Sequence, residues 1–305
     1  MLSNLDPSSQ RFLADLNRIQ LRTATAQNQI SSGLKVQSAS DAPDQIGTLL
    51  QLESERSGNS QTLANLNRVQ TEANGADNAL TTAVQLLDKI TQIAGQGLSS
   101  QTAQDRGKFA QQILDLQEQL VSLTSTTVEG RYIFDGGNGS GPPYQFNAAA
   151  VNGATRLSSA PATRQVQDSS GNSFQFARSA QDIFDQRDSA DVPTANNIFA
   201  AISAARAALI ANNPAAIATS IDVLHGASDF LGSQQTFYGT VQDRLAGALT
   251  NSQSLDVALQ TQIGAIRDAD LTAASLELNR GNIEQQASLA AKAKSQVKSL
   301  FDYLA

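Results

Sequence analysis

A chain of 305 residues with no cysteine, no tryptophan, one histidine and one methionine leaves little chemistry to choose from. The counts exclude disulfide scaffolds, thiol catalysis and Cys/His zinc sites, and a formal charge of -7, from 21 basic against 28 acidic side chains, argues against a nucleic-acid or anionic-membrane partner. With 40% hydrophobic residues but only 5% aromatics, the core must be built from Ala, Leu, Ile and Val, which suits long packed helices.

From the N-terminus, Met1 to Pro7 carry neither the basic nor the apolar segment of a conventional secretion signal. Phe12, Leu16, Ile19, Thr23, Ala26 and Ile30 then step by four and three residues, which predicts a first helix with one narrow apolar stripe. Asp41 as an N-cap, with Pro43 in the first turn, predicts a second helix that runs to about residue 94, a rod of about 75 Å. Its stripe is unbroken: Leu66, Val69, Ala73, Ala76, Leu80, Ala83, Leu87, Ile90 and Ala94. Gly95 and Gly97 are expected to end it. A third helix is expected after Thr102, reaching about Val128, on Phe109, Ile113, Leu116, Leu120, Leu123 and Thr127.

Residues 44–141 and 215–305 contain no proline, whereas seven of the fifteen aromatics fall between Tyr132 and Phe184, beside Pro142, Pro143, Pro161 and most of the glycine clusters. That shift of composition marks an insert. Arg164–Gln167 and Phe174–Ala177 alternate at period two around Asp168-Ser169-Ser170-Gly171-Asn172 and predict a hairpin, with short strands at Tyr132–Phe134 and Tyr144–Phe146. The apolar run Phe199 to Ala211 contains Ser203 and Arg206 and is shorter than the ~20 residues that cross a bilayer. Asn213-Pro214 opens a long helical region to Ile266. The last helix follows Asp268-Ala269-Asp270, with Ile283, Ala287, Ala290, Lys294, Val297, Phe301 and Leu304 in its seam.

The fold read from these elements is mainly α: a long antiparallel helical rod or bundle built from both chain ends, with a small inserted β-rich domain. Residues 1–40 and 270–305 are the terminal assembly helices, 41–130 and 194–269 the two halves of the rod, and 131–193 the insert. Alanine-rich seams permit close approach at the expense of buried area, so no helix is expected to be stable alone. The seams either close an intramolecular bundle or await partner helices; periodicity supports both.

No catalytic, metal or cofactor site is expected. Ser228 and Asp229 lie too near His225 along one helix to form a relay with it. The loop Gly136-Gly137-Asn138-Gly139-Ser140-Gly141 lacks the lysine and following helix of a phosphate-binding loop. Asp182, Asp185, Asp188 and Asp191 lack the spacing of a calcium loop and read as a solvated acidic linker. Asp268 and Asp270 read as a cap. An enzyme hidden in the insert is disfavoured, because residues 136–167 offer only Arg156 and Arg164 as charged groups.

Local sequences are more specific. Ser31-Ser32-Gly33-Leu34 followed by Ser38-Ala39-Ser40-Asp41-Ala42-Pro43, and Ile266-Arg267-Asp268-Ala269-Asp270 near the other end, resemble the bacterial flagellin superfamily. Gly130-Arg131-Tyr132-Ile133-Phe134-Asp135-Gly136-Gly137 and the ending Ser299-Leu300-Phe301-Asp302-Tyr303-Leu304 resemble its hook–filament junction members, the hook-associated protein 3 group. The resemblance covers about residues 1–137 and 194–305. Ala42 in place of a second acidic residue and a final Ala305 depart from the pattern, and a small filament flagellin is the alternative, followed by another coiled-coil protein of a secretion system.

This resemblance implies a structural protein of the extracellular flagellum, exported unfolded by the flagellar type III apparatus without a cleaved signal. It implies a C-terminal export chaperone, hook-associated protein 1 and flagellin as partners, and self-association in a ring. The terminal helices would form the axial core, the helices behind Asp41 an inner rod, and the insert an outer decoration. Carried onto this chain, Phe12, Leu16, Ile19 and Ile30 would pair with Ile283, Ala290, Val297, Phe301 and Leu304 in the assembled core.

Overall fold

A computed structural model of the chain describes residues 7–100, 102–137, 139–158 and 161–296. Val297, Phe301 and Leu304 lie outside the described residues. In chain order the elements are α1 (Pro7–Ser32), α2 (Ile46–Ser99), α3 (Ala103–Leu123), β1 (Thr127–Val128), β2 (Arg131–Tyr132), β3 (Tyr144–Phe146), β4 (Ala154–Arg156), β5 (Gln165–Gln167), β6 (Ser173–Gln175), α4 (Ala180–Phe184), α5 (Ile198–Ile210), α6 (Pro214–Arg267) and α7 (Leu271–Gln296). The architecture is mainly α, with three two-stranded antiparallel pairs, β1–β2 at the entry to the insert and β3–β4 and β5–β6 within it. Among the described residues no helix is long and apolar enough to cross a membrane. The chain divides into two compact units, Asn59–Ser254 and Met1–Gly58 with Leu255–Ala305.

In the unit Asn59–Ser254, α2 and α6 run antiparallel, as the pairs Gln242–Asn74 and Gln235–Thr81 show, each at 3.1 Å. All nine predicted stripe positions of α2, Leu66 through Ala94, are buried, and they face Leu224, Leu231, Val241 and Leu245 of α6 within one apolar cluster. The helix runs through Gly95 and Gly97 to Ser99. Gly97 serves close packing, since a Cβ there would collide with Leu209 of α5. Arg106, buried at the start of α3, closes the helix end: its Nε donates to the Gly97 carbonyl at 2.9 Å and its Nη2 to that of Ser100 at 2.6 Å.

Thr102 caps α3, accepting from the Asp105 amide at 3.1 Å, and the helix ends at Leu123, short of the Val128 expected. Of the expected stripe, Ile113 and Leu120 are buried and Phe109, Leu116 and Leu123 are half-buried against the same core, while Thr127 lies beyond the helix; the buried face also takes in Arg106, Ala110, Gln117 and Val121. The buried polar member Gln117 has its cause in hydrogen bonding. Gln117 donates to the Asn152 carbonyl at 2.9 Å and to Ser203 Oγ at 3.0 Å, so a polar residue fills a core position.

The insert shares its core with these helices. Phe134 meets Phe184 edge-on at 5.9 Å, Phe184 stacks on Phe199 of α5 at 6.1 Å, and Tyr144 meets Phe199 at 5.3 Å. Burial and the neighbouring Asp185 carboxylate push the Tyr144 hydroxyl well above its ordinary pKa. The predicted hairpin forms as β5–β6, with Val166 opposite Phe174. Two guanidinium–ring contacts, Arg178 on Phe237 and Arg244 on Phe174, attach it and the segment that follows to α6, and a third, Arg164 on Phe176, closes the base of the hairpin.

The acidic segment is not a solvated linker. Asp182 completes a capping box with Ser179 at the start of α4. Asp185, buried, accepts from Tyr144 Oη at 2.9 Å, Asn197 Nδ2 at 2.7 Å and Arg187 Nε at 2.9 Å. Asp188 accepts from the Ala190 and Val192 amides, and Asp191 takes a two-pronged bond from Arg156.

In the second unit, Val36, Leu49, Leu52, Leu259 and Ile263 form a separate small cluster where α2 and α6 pair, with Arg56 bonded to Asp256 at 3.1 Å. α1 and α7 pair beside their connecting turns.

Candidate assembly surface

The two terminal helices are joined to α2 and α6 by turns whose sequences carry the flagellin-like motifs, and each motif residue has a local task. Ser32 at the end of α1 donates to the Asn28 carbonyl at 2.7 Å and accepts from the Leu34 amide at 3.1 Å and Gln37 Nε2 at 2.6 Å, while Ser31 donates to the same carbonyl at 3.0 Å. Gly33 adopts φ 74°, the left-handed position after a helix end that glycine fills without strain. The Gly33 carbonyl accepts from Ala269 at 2.9 Å, and Leu34 bridges Asp268. Two motifs more than 230 positions apart in sequence therefore form one turn-to-turn contact.

Asp41 does not cap α2 as the sequence suggested. Its carboxylate turns back and accepts from the Gln37 and Ser38 amides at 2.9 and 2.7 Å, which hold its pKa below the ordinary carboxylate value. The helix is opened instead by the Ala42 carbonyl, which accepts from Gln45 and Ile46, each at 3.0 Å. Pro43 sits in that first turn, where it sacrifices no hydrogen bond. At the other turn, Asp270 caps α7 by accepting from Thr272 and Ala273 at 2.9 and 3.0 Å.

Between the helices, Arg22 of α1 ion-pairs with Glu277 and Glu284 of α7, Lys292 donates to Ser9 Oγ at 3.0 Å, and Lys292 lies over the Phe12 ring. Thr23 lies so close to Gly281 that a Cβ there would collide with it. The α1 stripe of Phe12, Leu16, Ile19, Ala26 and Ile30 is the shielded face of that helix, with Ile19 and Ala26 its buried members.

On α7 the shielded positions are Ala274, Glu277, Leu278, Gly281, Gln285, Ser288 and Lys292. The predicted stripe lies elsewhere: Ile283 is 67% exposed, and Ala287 and Ala290 are exposed with it. At 3.6 residues per turn, Ile283 and Ala290 point about half a turn away from Gly281. Within the chain, then, α1 is not paired with Ile283 and Ala290. α7 is two-faced, its glycine- and serine-bearing side taken by α1 and its apolar side, extended by Leu276, open. Sequence reading missed the first face because it is nearly devoid of large apolar residues.

The third motif forms a tight hairpin. Val128 pairs with Arg131 across Glu129 and Gly130, both at positive φ (52° and 76°), which is a type I′ turn. The turn sends Ile133 and Phe134 into the core, while Tyr132 donates its amide to the Gly139 carbonyl at 3.1 Å. A Cβ on Gly75 of α2 would come within 2.8 Å of Val128, so the hairpin seats directly on that helix.

The model of the bacterial flagellin N-terminal helical region matches residues 4–139, and that of the C-terminal helical region matches residues 221–304. The chain belongs to the flagellin family. It is accordingly a structural axial protein of the bacterial flagellum, of a family not known to be enzymatic. No curated protein matches it. Among solved structures, a candidate flagellar hook-associated protein of Vibrio parahaemolyticus superposes with a TM-score of 0.64 at 20% identity, over 75% of this chain and all of that one. FlgL of Xanthomonas campestris gives 0.58 at 16% identity, over 69% and 98% of the two chains. Hook-associated protein 3 of Legionella pneumophila gives 0.52 at 13%, over 76% and 99%. These likenesses concern the fold.

Proposed function

We propose that this flagellin-family chain is a hook–filament junction subunit that polymerises through its terminal helices, with the open side of α7 as the face offered to neighbouring subunits. The observation that carries the assembly reading is the outward row Leu276, Ile283 and Ala290, at seven-residue spacing on a helix whose other face α1 already covers. An exposed apolar row at that spacing is the pattern by which one helix docks against another. The hairpin at Gly130–Phe134 and a fold shared over nearly the full length of hook-associated proteins support the junction position.

In this reading hook-associated protein 1 lies on the hook side, flagellin on the filament side, and copies of the chain form the ring between them. The chain reaches that place through the flagellar type III export apparatus, held beforehand by a chaperone at its C-terminal region. The test is Ile283→Asp: the purified variant should unfold at the wild-type temperature but fail to incorporate at the hook tip, leaving cells non-motile. Normal swimming would refute the α7 face. Deleting the chain should leave bare hooks with flagellin secreted unpolymerised; capped hooks with no filament would point to a filament flagellin instead.

A further inference from the structure

One cavity in the unit Asn59–Ser254 has no role in the assembly reading. It is a solvent-open cleft of about 320 Å³ between α2, β2 and the β5–β6 hairpin. Three guanidinium groups from distant parts of the sequence line it, Arg68 of α2, Arg131 of β2 and Arg164 just before β5, and no carboxylate is among the described lining residues. Two carboxylates lie nearby. Glu72, buried, ion-pairs with Arg164, and Glu129 lines an adjoining depression that shares Arg68. In a chain of net charge -7 this is a local excess of positive charge.

Arg164 is nine-tenths buried, its guanidinium 4.9 Å from the centre of the Phe176 ring. Its Nη2 is used by Glu72, and its Nη1 is buried without a hydrogen-bond partner. A buried cationic donor left unsatisfied is costly, so a bound water or ion next to the guanidinium would relieve it. The remaining lining includes the Asn65, Gln165 and Gln167 amides, which can donate as well.

We propose that this cavity binds a small polyvalent oxyanion from solution, of the phosphate or polycarboxylate class. Guanidinium forks match the oxygen geometry of both anions, and the cavity holds one such ion with its bridging waters but not a folded segment of another protein. The site would tie α2 to the insert through the ligand, by way of residues on three separate elements.

The test uses the full chain, titrated calorimetrically with inorganic phosphate and, separately, with chloride at matched ionic strength, alongside thermal unfolding. Phosphate should bind saturably at one site, raise the unfolding temperature beyond the chloride effect, and weaken as salt is added. Arg68→Gln, an exposed helix position with no part in the core, should weaken phosphate binding by about tenfold while leaving the circular dichroism spectrum and phosphate-free unfolding temperature unchanged. Arg131→Gln should do the same. Should Arg131→Gln fail to fold, Arg68→Gln decides alone. Equal responses to phosphate and chloride, which would mean that water alone fills the cavity, overturn the proposal, as does wild-type phosphate affinity in Arg68→Gln.

Discussion

The stripe from Leu66 to Ala94 on α2 and the stripe from Ile283 through Ala287 and Ala290 on α7 follow the same three-and-four spacing, yet the first is buried throughout and the second is exposed. Periodicity tells which residues share a face; it does not tell what covers that face. In α2 the cover is α6 and the insert, drawn from the same chain. In α7 the chain spends its intramolecular contact on the small-residue side, around Gly281, and leaves the apolar side open. The contacts differ in kind as well. Unit Asn59–Ser254 is held by aliphatic and aromatic burial, while α1 and α7 meet through Arg22, Glu277, Glu284 and Lys292 over a thin apolar seam, and such exposed ion pairs add little.

Mutations can break or sharpen that contrast. The largest effect is expected at Arg164→Met, which strands Glu72 as a buried unpaired charge; denaturant unfolding should show a loss of about 3–5 kcal/mol, much of it recovered when Glu72→Leu is added. Leu87→Ala, inside the same unit, should cost about 2–5 kcal/mol. Leu276→Ala on the open face of α7 should change stability by no more than about 0.5 kcal/mol.

A substitution at Gly281 separates the regions directly. Gly281→Val should part α1 from α7 by forcing a side chain into Thr23, so that limited proteolysis clips both terminal helices while the main thermal transition keeps its midpoint. The smallest effect concerns Asp41. Its carboxyl is held below the ordinary 3.8 by the Gln37 and Ser38 amides, so its contribution to the turn is full above that value and lost as the pH falls through the lowered native one. Relative to their intrinsic exchange rates, the Gln37 and Ser38 amides should lose protection over that acid range in the wild type. In Asp41→Asn the pH-linked part of that change should vanish.

How much of this was legible depended on which force decided each element. α2, α6 and the β5–β6 hairpin followed from apolar spacing and turn residues, because burial of aliphatic side chains and local backbone preference both favoured the same structure. On α3 the apolar positions were legible but the buried Arg106 and Gln117 were not, because they hold core positions through hydrogen bonds to groups distant in sequence, Asn212 and Asn152. Asp185 looked solvated for the same reason: its partners Tyr144, Asn197 and Arg187 come from three segments. The motif residues Ser32, Gly33 and Asp41 were found by resemblance, but their tasks needed the turn itself, where Asp41 bonds backward instead of capping forward. The side of α7 that α1 covers was invisible because close helix approach at Gly281 leaves no apolar signal.

The central claim is that unit Asn59–Ser254 completes itself while the terminal helices are completed by neighbouring subunits. Hydrogen–deuterium exchange of the full chain, isolated and then assembled at the hook tip, tests it most directly. The account predicts that in the isolated chain the amides of α1 and α7 exchange orders of magnitude faster than those of α2 between Leu66 and Ala94, and that assembly brings the terminal helices to comparable protection. Terminal helices as protected as α2 in the isolated chain, or unchanged on assembly, would contradict it.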